Sequence, residues 1–169
     1  HNQTLSYVKQ GIDALNIDVI ALQEITSFNK FKELEYSLGN NWEGFKVSSS
    51  SDYSLAYLVN LDNIDIITTP YILPSIDVEC ESYMRDIIDH PCKENLSASF
   101  YSSIHDFANR SPFVIEIKFE NQLFVLINIH LKCCNQDGSE KIRRYGAIQL
   151  IDNYIQNNFK NTNVIILGD

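Results

Sequence analysis

Long apolar runs are missing from this sequence. No stretch approaches the roughly 20 consecutive apolar residues that a bilayer crossing needs, so no segment reads as a transmembrane helix. Glycine and proline are scarce, at 6 and 4 of 169 residues, which excludes collagen-like and low-complexity chains. Basic residues are in deficit as well: 13 Lys and Arg face 22 Asp and Glu, for a formal net charge of −9. A chain this acidic is a poor non-specific binder of polyanions, and a substrate carrying phosphate would need a bound cation to help. What is present is a hydrophobic content of 44%, enough for one domain with a sizeable core. The chain begins at His1 and stops at Asp169 straight after an apolar run, the pattern expected of a piece of a longer polypeptide.

Cysteine is sparse too. Cys80, Cys92, Cys133 and Cys134 allow three pairings if all are bridged, and adjacent cysteines such as Cys133 and Cys134 pair with each other only under strain. Two readings stand side by side: four free thiols in a reducing compartment, or one or two bridges tying the loop around Cys80 and Cys92 to Cys133. No ligand spacing supports a zinc site that would add His90 or His105.

Periodicity gives an alternation of helices and strands. Leu5, Val8, Ile12 and Leu15 share one face of a helix over 3–16, and Val19-Ile20-Ala21-Leu22 reads as a strand buried on both sides, ending in Gln23-Glu24. Ser27 caps a second helix that carries Phe28, Phe31, Leu34 and Leu38 on one face and stops at Gly39. Strands follow at 45–48, 55–59 and 64–68. From about Pro70 to Pro112 no period survives, so this stretch reads as an elaborated surface loop with short helical turns, for example near 83–88. Phe113 to Phe119 alternate as a half-buried strand, Asn121-Gln122 make a hairpin connection, and Leu123 to Leu131 form a central strand interrupted on one face by Asn128 and His130. A helix over 139–157 turns Ala147, Leu150, Ile151 and Tyr154 inward. Val164 to Leu167 is a last short buried strand before Gly168-Asp169. The class is α/β with an antiparallel hairpin.

Three apolar strands thus end in polar groups that a core would not choose: Gln23-Glu24, Asn128 with His130, and Asp169. In layered α/β folds ligands gather at the carboxyl ends of strands, where the loops open onto a crevice. Two carboxylates and an imidazole meeting there could hold a divalent cation and polarise a phosphate beside it. Taken singly, a Glu after a strand is more often a solvated turn, and a His at a strand end a hydrogen-bonded structural group.

These segments carry a resemblance. Asp18-Val19-Ile20-Ala21-Leu22-Gln23-Glu24, Asn128-Ile129-His130-Leu131-Lys132 and Val164-Ile165-Ile166-Leu167-Gly168-Asp169 resemble, in order and spacing, successive motifs of the endonuclease/exonuclease/phosphatase superfamily, and Arg110-Ser111-Pro112 is similar to its Arg-x-Pro element. The resemblance covers nearly the whole chain except about 70–108. It implies a deoxyribonuclease I-like sandwich of two mixed β-sheets flanked by helices, incomplete in residues 1–169, with an irregular insertion at about 70–112. It also implies metal-dependent phosphoester hydrolysis. Glu24 would ligate Mg²⁺, with Mn²⁺ or Ca²⁺ as alternatives. His130 would contact the scissile phosphate, Asn128 would hold that edge in place, and Asp169 would orient or deprotonate the attacking water. Arg110, Lys132, Arg143 and Arg144 are the available phosphate partners, although an arginine pair on a helix is as often a solvated face.

The family pattern also departs from this chain. An Asn two residues past the Gly-Asp motif, a late Ser-Asp-His and an early strand bearing an Asn would all fall outside residues 1–169, and Asp52 is the nearest stand-in for a second acid. The isolated segment is therefore expected to lack appreciable turnover. His130 resembles the branch with secreted nucleases, sphingomyelinases and inositol-phosphate phosphatases rather than abasic-site repair enzymes, and Cys133-Cys134 resembles exported bacterial endonuclease-like members. The reading favours an extracellular or periplasmic monomer acting on DNA or RNA. The alternatives are a sphingomyelinase- or inositol-phosphatase-like enzyme, or a non-catalytic domain that binds a partner through the 70–112 loop.

Overall fold

The computed structural model describes residues 2–47, 54–73, 111–131 and 139–169. In chain order the elements are α1 (Asn2–Leu15), β1 (Val19–Ile25), α2 (Phe28–Leu38), β2 (Trp42–Lys46), β3 (Ser54–Asn60), β4 (Asp65–Ile66), β5 (Tyr71–Ile72), β6 (Phe113–Phe119), β7 (Gln122–Ile129), α3 (Ser139–Asn158) and β8 (Asn163–Gly168). One sheet has the order β1-β3-β2. The other runs β4-β6-β7-β8, with β5 also paired to β6.

The period-2 pattern of each central strand decides how these layers stack. Leu55, Tyr57 and Val59 of β3 face Phe113, Ile115 and Ile117 of β6 and Leu126 of β7, making the core between the sheets. The intervening Ala56 and Leu58 face the opposite way and pack under Ile12 of α1 and Phe31 and Leu34 of α2. On the far side Val114, Val125, Ile127 and Ile129 are covered by Ala147, Leu150 and Ile151 of α3. The result is a four-layer α/β/β/α sandwich, as alternating apolar faces on both central strands require.

Local chemistry explains most of the boundaries. The Ser27 side chain accepts a hydrogen bond from the Lys30 amide at 3.3 Å and caps α2, which ends at Gly39. The β6–β7 connection is Glu120-Asn121, one residue earlier than the pattern indicates. Both have positive φ, 47° and 66°, as a two-residue turn matched to strand twist demands.

Several expectations are corrected. The three-stranded sheet is wholly antiparallel; only the second is mixed, through the parallel β7–β8 pair. Neither β1 nor β8 is doubly buried: among the described residues each pairs with one neighbour, leaving Ile165 and Ile166 42% and 43% exposed. Among the described side chains of the expected apolar face of α1, only Ile12 is buried and Leu5 partly so; Leu15 is 68% exposed, because α1 meets the core through its middle and its last turn stands clear. β2 starts earlier than expected, at Trp42, and β5 lies inside the stretch read as irregular from Pro70. A two-residue strand has no period of its own; it exists because Tyr71 and Ile72 pair with Val114 and Phe113. The rest of that loop, its helical turns and all four cysteines lie outside the described residues.

One polar group sits in the middle of the inter-sheet core. The Tyr57 hydroxyl lies 3.0 Å from the Phe113 carbonyl and 3.1 Å from that of Leu126, and can donate to one of them at a time. Burial pushes its ionisation well above the ordinary tyrosine range, so it stays a neutral donor. Tyr57→Phe should cost about 1 kcal/mol, the worth of one net hydrogen bond, seen as a lower urea midpoint at unchanged slope. An unchanged midpoint would show that the hydroxyl contributes nothing to joining the sheets.

Candidate functional site

The parallel pairing of β7 and β8 brings two strand ends level. Register runs from Phe124 opposite Asn163 to Ile129 opposite Gly168. Beyond it the Asp169 amide donates to the Ile129 carbonyl at 3.2 Å, and the Asp169 carbonyl accepts from the Leu131 amide at 2.7 Å. These two bonds set the backbones of His130 and Asp169 side by side, just past the last paired residues of the ladder. His130 continues the inner face of the strand, to which Leu126 also contributes.

Gly168 makes this junction feasible. Its φ is +131°, and a Cβ there would lie 1.9 Å from the Ile129 carbonyl oxygen, a backbone atom that cannot yield. Only glycine permits the approach.

The third strand end comes from the other sheet. β1 pairs regularly with β3 from Val19 opposite Val59 to Leu22 opposite Ala56, then resumes at Ile25 opposite Ser54. Gln23 and Glu24 therefore oppose the single residue Leu55, which is a β-bulge. Glu24 has φ 56°, a left-handed conformation that costs an ordinary side chain about 1–2 kcal/mol. Successive side chains of a regular strand point to opposite faces; here both reach β7. Gln23 Nε2 donates to Asn128 Oδ1 at 2.8 Å, and Glu24 Oε1 lies 3.5 Å from His130 Nε2.

Asn128 ties the two sheets together at this point. Fully buried, it donates through Nδ2 to the carbonyls of Leu22 at 3.0 Å and Ala56 at 3.1 Å. With both amide hydrogens on carbonyls and Gln23 on its oxygen, Asn128 is held firmly and acts as a positioning residue. His130 is nearly buried while the Glu24 side chain is 61% exposed, so the pair has one wall in protein and one open to solvent.

Of the residues singled out from sequence, Glu24, Asn128 and His130 lie together at one end of the sandwich, and the backbone of Asp169 adjoins them. Arg144 lies half-buried on α3. Arg110, Lys132 and the side chain of Arg143 lie outside the described residues, as does Asp52. Sequence reasoning noted Gln23 as a misplaced polar group but gave it no part; its only signal was an amide before an acid at the end of an apolar run.

No family model and no curated protein matches the chain, but its fold matches solved structures. Danio rerio TDP2, crystallised with a single-strand DNA product, superposes with a TM-score of 0.65 at 14% identity, over 98% of this chain and 52% of that one. An endonuclease/exonuclease/phosphatase family protein from Bacteroides thetaiotaomicron gives 0.65 at 14% identity, over 99% and 54%. The human nocturnin catalytic domain, with bound sulfate, gives 0.61 at 14% identity, over 100% and 56%. The chain spans about half the length of these structures. These likenesses show the fold, a deoxyribonuclease I-like sandwich.

Gly168→Ala tests the junction. Backbone strain and the forced retreat of β8 should lower stability by at least about 2 kcal/mol, measured by thermal or urea unfolding. A variant as stable as the parent would contradict the close approach of Gly168 to Ile129.

Proposed function

We propose that this chain is part of a metal-dependent phosphodiester hydrolase, most directly an endonuclease-like enzyme acting on DNA or RNA. One observation carries the reading: the Glu24 carboxylate lies 3.5 Å from the His130 imidazole at the strand end that Asp169 shares. The single-strand DNA product bound to the Danio rerio TDP2 neighbour supports a nucleic acid as the substrate class.

The donor chemistry suits Mg²⁺. That ion takes hard oxygen ligands and is usually held by one or two carboxylates, its own waters and substrate phosphate oxygens, without an all-protein cage. Glu24 offers such a carboxylate, open to solvent. Among the described residues no group of three or more His, Cys, Asp or Glu is placed to hold a metal ion, so Glu24 would be a single carboxylate ligand completed by water and substrate. When bound, the cation would neutralise charge on the phosphate oxygens.

The chain's own residues supply the remainder. His130, held between protein and solvent, presents Nε2 to a non-bridging phosphate oxygen and hydrogen-bonds it as negative charge builds there. Asp169, fixed beside it by two backbone bonds, orients a water for in-line attack and takes its proton. Arg144 and the basic residues 110, 132 and 143 are the partners for flanking phosphates, concentrating positive charge that an acidic chain of net −9 otherwise lacks. Export to the periplasm or medium belongs to the same proposal, on the resemblance of His130 and Cys133-Cys134 to exported members.

The test offers plasmid DNA, sphingomyelin and an inositol phosphate to the full-length protein, with Mg²⁺ and then with a chelator. Nucleic acid should be cut only with metal. His130→Ala should lower kcat/KM by at least about 100-fold at a little-changed unfolding midpoint. An unaltered rate in that variant would mean that the site lies elsewhere, and turnover of sphingomyelin or the inositol phosphate alone would move the substrate to that class.

A further inference from the structure

We propose that Gln23 is a positioning residue: its side-chain amide, donating to Asn128, holds the bulge that aims the Glu24 carboxylate at His130. The inference rests on the reading of Glu24 and His130 as the heart of a hydrolytic site, and adds a residue to which that reading gives no part.

The hydrogen-bond geometry leaves one arrangement. Asn128 Nδ2 faces two carbonyl oxygens, of Leu22 and Ala56, so only the amide nitrogen can point that way, and Oδ1 must face Gln23. A group meeting Oδ1 has to be a donor. The Gln23 amide is therefore fixed in turn, with its NH₂ toward Asn128. Residues 22 and 23 are both anchored to the same side chain on β7, one through its carbonyl and the other through its amide, immediately before the residue with φ 56°.

The consequence falls on Glu24. In an extended conformation it would point opposite to Gln23, toward the helix-covered face and away from His130. The left-handed turn at residue 24 is unfavourable by itself and persists only where its surroundings over-determine it. Asn128 near the end of β7 and His130 just past it, two residues apart on one face, receive Gln23 and Glu24 as a matched pair. Without the Gln23 donor, Asn128 Oδ1 is buried and unsatisfied, and the grip on residue 23 is gone.

Gln23→Met keeps the length of the side chain and removes the donor. Gln23→Asn, which pulls the amide out of reach, serves as a second variant should the first fold poorly. Backbone couplings and chemical shifts of Glu24 by NMR, on metal-free protein, report its φ, and the cross-relaxation between Glu24 and the His130 ring reports their approach. In the variants Glu24 should lose its left-handed signature and the cross-peak should vanish. Mg²⁺ binding by calorimetry should weaken by about tenfold, the scale of an outer-shell partner. A variant that retains the left-handed Glu24, its cross-peak to His130 and unweakened Mg²⁺ binding would overturn the proposal. Glu24→Gln separates the two ideas: unchanged Mg²⁺ affinity in that variant defeats the metal reading, while the NMR comparison still judges Gln23.

Discussion

The buried amide of Asn128 is the contact on which the site depends. There the two sheets exchange hydrogen bonds beside Glu24 and His130, with β7 donating to carbonyls of both β1 and β3. Elsewhere between the sheets the contact is mainly apolar, and apolar packing tolerates sliding. A doubly donating amide does not, since a shift of one residue would leave buried polar atoms without partners. The Asn128 amide therefore sets how far β1 lies along β7, and with it the distance from Glu24 to His130.

Two other features of the same strand ends run against local preference, and both act on geometry. Glu24 occupies a conformation that glycine would adopt more readily, and Gly168 brings backbone so close to Ile129 that no side chain fits. A sequence optimised only for stability would not place a glutamate at position 24. Departures of this kind gather at working sites, supported by the packing around them. Here the support is the inter-sheet core of Tyr57, Phe113 and Ile115, together with the α3 layer behind β7.

The layered α/β plan was legible because apolar residues alternate along β6 and recur on one face of α2, where Phe31 and Leu34 are buried. The meeting of Glu24 and His130 was legible from polar groups at the ends of apolar strands and from motif order, since no pattern within one strand says that ends from different sheets meet. Three things stayed hidden. A strand with one partner among the described residues, such as β8, carries the same Val-Ile-Ile-Leu composition as central ones, so exposure at Ile165 and Ile166 could not be told from burial. Two-residue strands such as β5 owe their existence to a neighbour. The β1 bulge depends on a long-range amide bond between residues 23 and 128, which periodicity within β1 does not reveal.

The account stands or falls on whether the Glu24 carboxylate is the metal ligand beside His130. The most direct measurement is a crystal structure of the protein soaked in Mn²⁺, with the ion located by its anomalous signal. The account predicts a peak within about 2.0–2.3 Å of a Glu24 carboxylate oxygen, on the solvent side of His130 and level with Asp169. A peak bound elsewhere with Glu24 turned away from His130, or no peak at Glu24 at saturating Mn²⁺, would contradict it.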